Sequence, residues 1–319
     1  MVIDMKRRVN KKRVAIAIII LIIIVVSIIA GIKIINYIKS DEYKLKKIGY
    51  NEQEITSILK YATDSELNKI KNDKYEKELT TFLNQKYFIY DNLDDYIEYY
   101  KEDKTVKPSK VISIINVGAN KEFYEDPKKT DISLKELMLV NKFNYLDKSY
   151  SPENVVPIST QYSYDDNEAP EFVYEKYLDM WNAATEDGMN LIMSSSYRDY
   201  EYQESLYQNY KNQKGTEWAD SVAARAGYSE HQTGYALDIV TYNSTMDDFE
   251  QSDEFKWLSK NAYKYGFILR YPKDKEDITG YAYESWHYRY VGKEVAEYIY
   301  KNKITFDEYY AYFIANKDK

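Results

Sequence analysis

The stretch Ser229–Asp238, SEHQTGYALD, places a histidine seven residues before an aspartate, with Gly234 and Ala236 between them. The chain has one other histidine, His287, in YESWHYRY, three residues after Glu284. Cysteine is absent, which excludes disulfides, thiolate nucleophiles and cysteine-ligated zinc. A conventional zinc site must therefore use both histidines or rely on carboxylates. Zinc hydrolases generally take three protein ligands and leave the fourth position to water, and His231, Asp238 and His287 supply that count. Bound zinc lowers the pKa of its water towards ~7. A general base must then lie within hydrogen-bond reach, and Glu284 is the candidate. A lone histidine is more often a satisfied structural residue. Here both histidines stand beside carboxylates in Gly- or Trp-containing motifs, which favours the metal reading.

A second constellation is Arg198 with Gln203, in SSSYRDYEYQ, where a strand end is expected to run into a helix start. A guanidinium beside exposed helix N–H groups is a natural receptor for a carboxylate, and Gln203 could bond a peptide group. Taken alone, Arg198 reads as a surface ion pair. Beside a zinc-water site it is what a carboxypeptidase requires, because such an enzyme must recognise a free chain end.

The motifs S-x-H-x-x-G-x-A-x-D at Ser229–Asp238, E-x-W-H at Glu284–His287 and S-x-Y-R at Ser195–Arg198 resemble those of the VanY-type D-alanyl-D-alanine carboxypeptidases, in the LAS group of metallopeptidases. LVNKFNYL, YSPENVV, YGFILRYP, ITGYAYE and WHYRYVG extend the likeness over about Leu137–Tyr300. The resemblance implies that His231, Asp238 and His287 bind Zn2+, that Glu284 is the catalytic base, and that Arg198, Gln203 and Ser229 contact the substrate. It also implies hydrolysis of the terminal D-Ala of peptidoglycan stem peptides. L,D-carboxypeptidases and peptidoglycan endopeptidases share that metal site. A non-catalytic wall-binding or sensor protein would have lost a ligand or the base, and none is lost here. Three positions depart from the family pattern: Ser196 and Ser285, where glycine and proline are usual, and Ala226, where proline is frequent. They bear on loop geometry and substrate preference more than on catalysis.

The elements that must position these residues suggest an α+β fold, a small antiparallel sheet with flanking helices of the LAS/hedgehog-like type. A doubly wound sheet is disfavoured because no Gly-rich phosphate loop follows any strand. Strands are expected at Val111–Val117, Leu137–Leu146, Asn190–Ser195, Gly234–Val240, Gly266–Arg270 and Tyr281–Tyr290, the last carrying both Glu284 and His287. Helices are expected at Glu171–Asp187, from Asp199, at Thr216–Arg225 and at Asp253–Tyr265, with two more closing the chain.

Towards the N-terminus, Val14–Ile32 is 19 residues without a charge. As a helix it spans roughly 28 Å, close to the ~30 Å hydrocarbon core of a bilayer. A cleavable signal would end in a small-residue site, yet the best candidate, Ser27–Ala30, lies inside the apolar run. An uncleaved single-pass anchor over 14–35 is therefore expected. Basic residues flank it on both sides, and the simplest topology puts a cytoplasmic tail (1–13) inside and the bulk of the chain outside.

The first 39 residues hold eight Lys/Arg against Asp4 alone, while the whole chain is −8, so the remainder is strongly acidic. That argues against a nucleic-acid partner, which wants a basic face. The expected organisation continues with a helical spacer (41–107), whose first helix opens on a capping box at Asn51–Glu54 and whose third covers Lys74–Leu83. A connecting segment with one strand (108–136), a peptidase domain (137–302) and a C-terminal helix (303–319) follow.

Overall fold

The computed structural model describes residues 11–164, 167–242 and 244–316. The first ten residues of the expected cytoplasmic tail and the last three of the C-terminal segment lie outside the described residues. The chain divides into two compact units, one ending at Lys101 and the other beginning at Glu102.

In the first unit, Lys11–Lys39 is one continuous helix whose isoleucines and valines are exposed all round. It is long and apolar enough to cross a membrane. Short helices follow at Asp41–Ile48, Glu52–Tyr61, Asp64–Ile70 and Leu79–Leu83, and they bury Leu45, Ile58, Ile70 and Phe82. The capping box at Asn51 and Glu54 is formed, and Thr63 with Glu66 makes another. The helix expected over Lys74–Leu83 is confined to Leu79–Leu83. Its first half is held off helical geometry because Asp73 and the Tyr50 hydroxyl accept from the backbone N–H groups of Lys74 and Glu76.

In the second unit, Val111–Val117 is helical, not extended: the helix runs Pro108–Val117. Proline at its first turn and Gly118 in the left-handed region at its end are strong helix punctuation. Tertiary burial of Val111, Ile112, Ile114 and Ile115 then overrides the strand preference of the β-branched run. Leu137–Leu146 is likewise not one strand. Only Asn144–Tyr145 pairs, in parallel with Lys128–Lys129. The carbonyls of Glu136, Met138 and Leu139 accept instead from Arg289 and Thr130, so no neighbouring strand is needed to satisfy them.

The central sheet has four strands, β1 (Leu191–Ser195), β2 (Ala236–Thr241), β3 (Phe267–Leu269) and β4 (His287–Tyr290), in the order β1-β2-β4-β3, all antiparallel. Leu237, Ile239, Tyr288 and Tyr290 turn one face onto a core with Val173, Tyr177 and Met180 of the helix Glu171–Glu186. Alternation sends Asp238 and His287 to the opposite face. The expected strand Tyr281–Tyr290 is therefore cut short at its N-terminal end. Residues 281–285 leave the sheet, with Glu284 donating its backbone N–H to the Tyr271 carbonyl, while the Trp286 carbonyl already accepts from the Ile239 N–H of β2. Helices Tyr200–Lys214 and Thr216–Val222 cover this side, and the expected continuation to Arg225 stops where Ala223 becomes extended. The expected helix at Asp253–Tyr265 ends at Asn261 and tightens into a 3-10 turn. The fold is α+β with a small antiparallel sheet.

Gly234 closes the turn that leads into β2. Its φ is +76°, and a Cβ there would lie 2.6 Å from Pro170 Cγ and 3.0 Å from Pro152 Cγ. Both ring atoms belong to stiff side chains, so the neighbours have little room to yield. Gly234→Ala should lower unfolding free energy by about 2–4 kcal/mol through backbone strain and overpacking, measured by urea denaturation of the purified protein.

Candidate active site

The site forms where three local structures meet on one face of the sheet. Ser229 caps a 3-10 turn, Glu230–Thr233, by accepting from the His231 N–H at 3.3 Å. That turn carries His231. Its Nδ1 lies 2.5 Å from the Ser196 carbonyl, so Nδ1–H donates there and Nε2 is left facing the site. Asp238 sits in the middle of β2 and is paired in register with His287, the first residue of β4. One ligand atom from each of His231, Asp238 and His287 falls within 4.8 Å of the others, and all three residues are buried.

Two contacts indicate that these atoms converge on a common point: His231 Nε2 and Asp238 Oδ2 are 3.4 Å apart, and His287 Nδ1 and Asp238 Oδ1 are 3.1 Å apart. Asp238 Oδ1 nevertheless has no hydrogen-bond partner among the described residues. A buried carboxylate oxygen so placed is costly unless something else engages it. Two imidazoles and one carboxylate are also a donor set that suits zinc with an open fourth position. The residues present fit such an ion.

Electrostatics separate the titratable groups. Burial, with the Arg198 guanidinium beside it, pushes His231 down to about 4. Burial also works against a charged His287, but the neighbouring Asp238 and Glu230 carboxylates outweigh it and push His287 up to about 9. Burial alone would raise Asp238; the two imidazoles hold it well below the usual carboxylate range instead. Glu284 is pushed up to about 7, chiefly by burial, and its Oε2 lies 3.6 Å from His287 Nδ1.

Arg198 reaches into the same cluster. Its Nη2 donates to Asp238 Oδ2 at 3.0 Å and lies 2.8 Å from His231 Nε2. Nε donates to Ser195 Oγ at 3.0 Å and Nη1 to Gln203 Oε1 at 3.1 Å. Gln203 is anchored in turn through Nε2 to the Ala224 carbonyl at 2.8 Å. Both ends of its amide are thus engaged by the protein, and its visible action is to hold the guanidinium. All seven residues singled out from the sequence line one cavity of about 140 Å³, which also touches Tyr281 and Trp286.

The three departures from the family pattern are accommodated. Ser196 is buried, and its hydroxyl donates to the Glu168 carbonyl at 2.6 Å. Its φ is not positive, so no glycine is required there. Ala226 and Ser285 are buried without disturbing the cluster. Sequence reasoning missed Glu230, Arg270, Arg289 and Asp307, a fully enclosed ion network behind His287. The two arginines lie within segments that resemble the family, but nothing in the sequence distinguishes a buried arginine from a surface one.

A His–Asp–His trio that could hold a metal ion, two members on an antiparallel sheet and one on the turn before it, with a carboxyl group and a guanidinium beside it, is the arrangement of a hydrolase of the metallopeptidase class. Residues 168–293 match the family model described as VanY, D-alanyl-D-alanine carboxypeptidase. The chain is 40% identical over 205 residues to the protein named "Putative carboxypeptidase YodJ" of Bacillus subtilis (strain 168), covering 59% of this chain and 74% of that protein. It is 40% identical over 146 residues to a D-alanyl-D-alanine carboxypeptidase of Enterococcus faecium, 46% of this chain and 45% of that one. Among solved structures, the LdcB LD-carboxypeptidase aligns with a TM-score of 0.55 at 37% identity, over 58% of this chain and 90% of that one. The chain belongs to the VanY carboxypeptidase family, and it is an enzyme.

With only two histidines, the imidazole titrations can be assigned by single substitution. In metal-free protein, NMR should show His231 titrating near 4 and His287 near 9. Because the folded pKa of His287 is raised above the ordinary ~6.5, its contribution to stability is complete below pH ~6.5 and is lost as pH rises towards 9. Coincident titrations near 6.5 would contradict the geometry.

Proposed function

We propose that the chain is a zinc-dependent D-alanyl-D-alanine carboxypeptidase that removes the terminal D-Ala from peptidoglycan stem peptides. The observation that carries this reading is the meeting of His231, Asp238, His287, Glu284 and Arg198 in one buried pocket. His231 through Nε2, Asp238 through a carboxylate oxygen and His287 through Nδ1 would hold the zinc. When bound, zinc supplies Lewis acidity that makes water a nucleophile near neutral pH and polarises an amide carbonyl.

The remaining work falls to the chain's own side chains. Glu284 accepts the proton of the attacking water and passes it to the leaving nitrogen, a role suited to a carboxyl group raised to about 7. Arg198, oriented by Ser195 and Gln203, receives the terminal carboxylate of the substrate. Ser229 shapes the turn that presents His231 and lines the pocket beside the scissile residue. A cavity of about 140 Å³ suits a small terminal side chain.

A second reading, cleavage of an L,D bond, is favoured by the structural likeness to LdcB. The helix over 14–35 would anchor the enzyme in the cell membrane with a cytoplasmic N-terminus, and would place catalysis on the cell-wall side, where the stem peptides are. The helical segment 41–107 would serve as a spacer, followed by connecting residues 108–136, the peptidase domain 137–302 and a closing helix from 303.

Two experiments test this reading. Glu284→Gln should lower kcat about 10²–10⁴-fold while bound zinc, measured by metal analysis, stays stoichiometric; retained turnover would remove the assigned base. Mass spectrometry of defined stems incubated with the detergent-solubilised full chain should show loss of one alanine from the pentapeptide alone. Loss from the tetrapeptide would select the L,D reading.

A further inference from the structure

Next to His287, in the wall of the same cavity, lies a carboxylate with one oxygen fully engaged and the other facing the ring. Glu230 is completely enclosed. Its Oε1 accepts from Arg270 Nε at 2.7 Å and from Arg289 Nη1 at 2.9 Å. Its Oε2 has no hydrogen-bond partner among the described residues, nor has His287 Nε2, and these two atoms face each other at 3.5 Å. We propose that Glu230 is the positioning residue for His287: Oε2 accepts a hydrogen bond from Nε2–H, which stays on the ring, and thereby fixes the imidazole with Nδ1 turned towards Asp238 and Glu284. The inference rests on the reading of His287 as a metal ligand.

The physical case is one of geometry and charge balance. An imidazole joined to the backbone by two rotatable bonds can present either nitrogen, and the bond made by the other nitrogen decides which. Tyr271 packs against the His287 ring, tilted by 43° with centroids 4.9 Å apart, but a ring contact cannot distinguish Nδ1 from Nε2. Glu230 can, because it offers only an acceptor.

Glu230 remains a carboxylate in the interior because two guanidinium groups share its Oε1, and their surplus charge is met by Asp307. Arg270 donates to Asp307 Oδ2 at 2.5 Å and to Oδ1 at 3.1 Å, and Asn141 Nδ2 donates to the same Oδ1 at 2.9 Å. Arg289 is tied further to the carbonyls of Glu136 and Met138. Two cations and two anions are thus balanced in one buried group. It ties β3, β4, the turn of residues 230–233 and the helix Phe306–Phe313 to the orientation of one ring. Asn141 and Asp307 lie outside the segment matched by the family model, so on this proposal the flanking segments help to set the site.

The test uses the full chain in detergent with ¹⁵N-labelled histidine. In zinc-loaded wild type, His287 should carry its proton on Nε2 and exchange it slowly. Observation of the Nδ1–H form would overturn the proposal without any variant, which keeps it falsifiable even where a substituted chain does not fold. Glu230→Gln should weaken zinc binding about 10–100-fold in a chelator competition, and should speed Nε2–H exchange in protein whose circular dichroism is unchanged. A folded Glu230→Gln protein with wild-type zinc affinity would overturn it. His287→Ala separates the two layers: lost zinc affinity there, with an unaffected Glu230→Gln, removes the positioning role alone. Retained affinity in His287→Ala removes the ligand assignment and the proposal with it.

Discussion

The interaction on which the rest depends is the register between β2 and β4, in which Asp238 stands directly opposite His287. Side chains alternate across a sheet with a period of two, so a slip of one residue would send one of these groups into the apolar core. The slip is prevented by that same core. Leu237, Ile239, Tyr288 and Tyr290 pack on the far face, and the register that buries them brings carboxylate and imidazole together on the near one. Hydrophobic burial, not attraction between polar groups, is what assembles the cluster.

Once placed there, the polar groups need partners, since enclosed charge without one is expensive. The structure supplies these in two tiers. On the cavity side, Arg198 meets Asp238 and is itself held by Ser195 and Gln203. Around Glu230, which also borders the cavity, Arg270, Arg289 and Asp307 balance the charge. The second tier is wholly enclosed, so it adds less to net stability than to geometry. It holds β3, β4 and the C-terminal helix in one arrangement, because any displacement would separate a desolvated pair.

The run Met138–Val140 shows the reach of that constraint. The carbonyls of Met138 and Leu139 are claimed by Arg289 and Thr130, which turns an apolar segment that reads as a strand into irregular buried chain. Val111–Val117 went the other way, from strand to helix, because Pro108 and Gly118 punctuate it and the helix places its isoleucines in apolar surroundings. In both, local β preference was real but weaker than the tertiary surroundings.

The sequence by itself determined the composition of the site. Two histidines, no cysteine and short motifs with carboxylates at definite spacing leave few arrangements, and residue type carries that information directly. It likewise specified an α+β order of elements and an apolar segment long enough to cross a bilayer. Only the tertiary structure decided how the pieces meet: which nitrogen of each imidazole faces the cavity, that Gln203 holds Arg198, and that Glu284 leaves the sheet before His287 enters it. It alone disclosed the network around Glu230. Burial is a property of the folded whole, and Arg270, Arg289 and Asp307, distant in sequence from Glu230, become its partners only when the sheet and the C-terminal helix close around them.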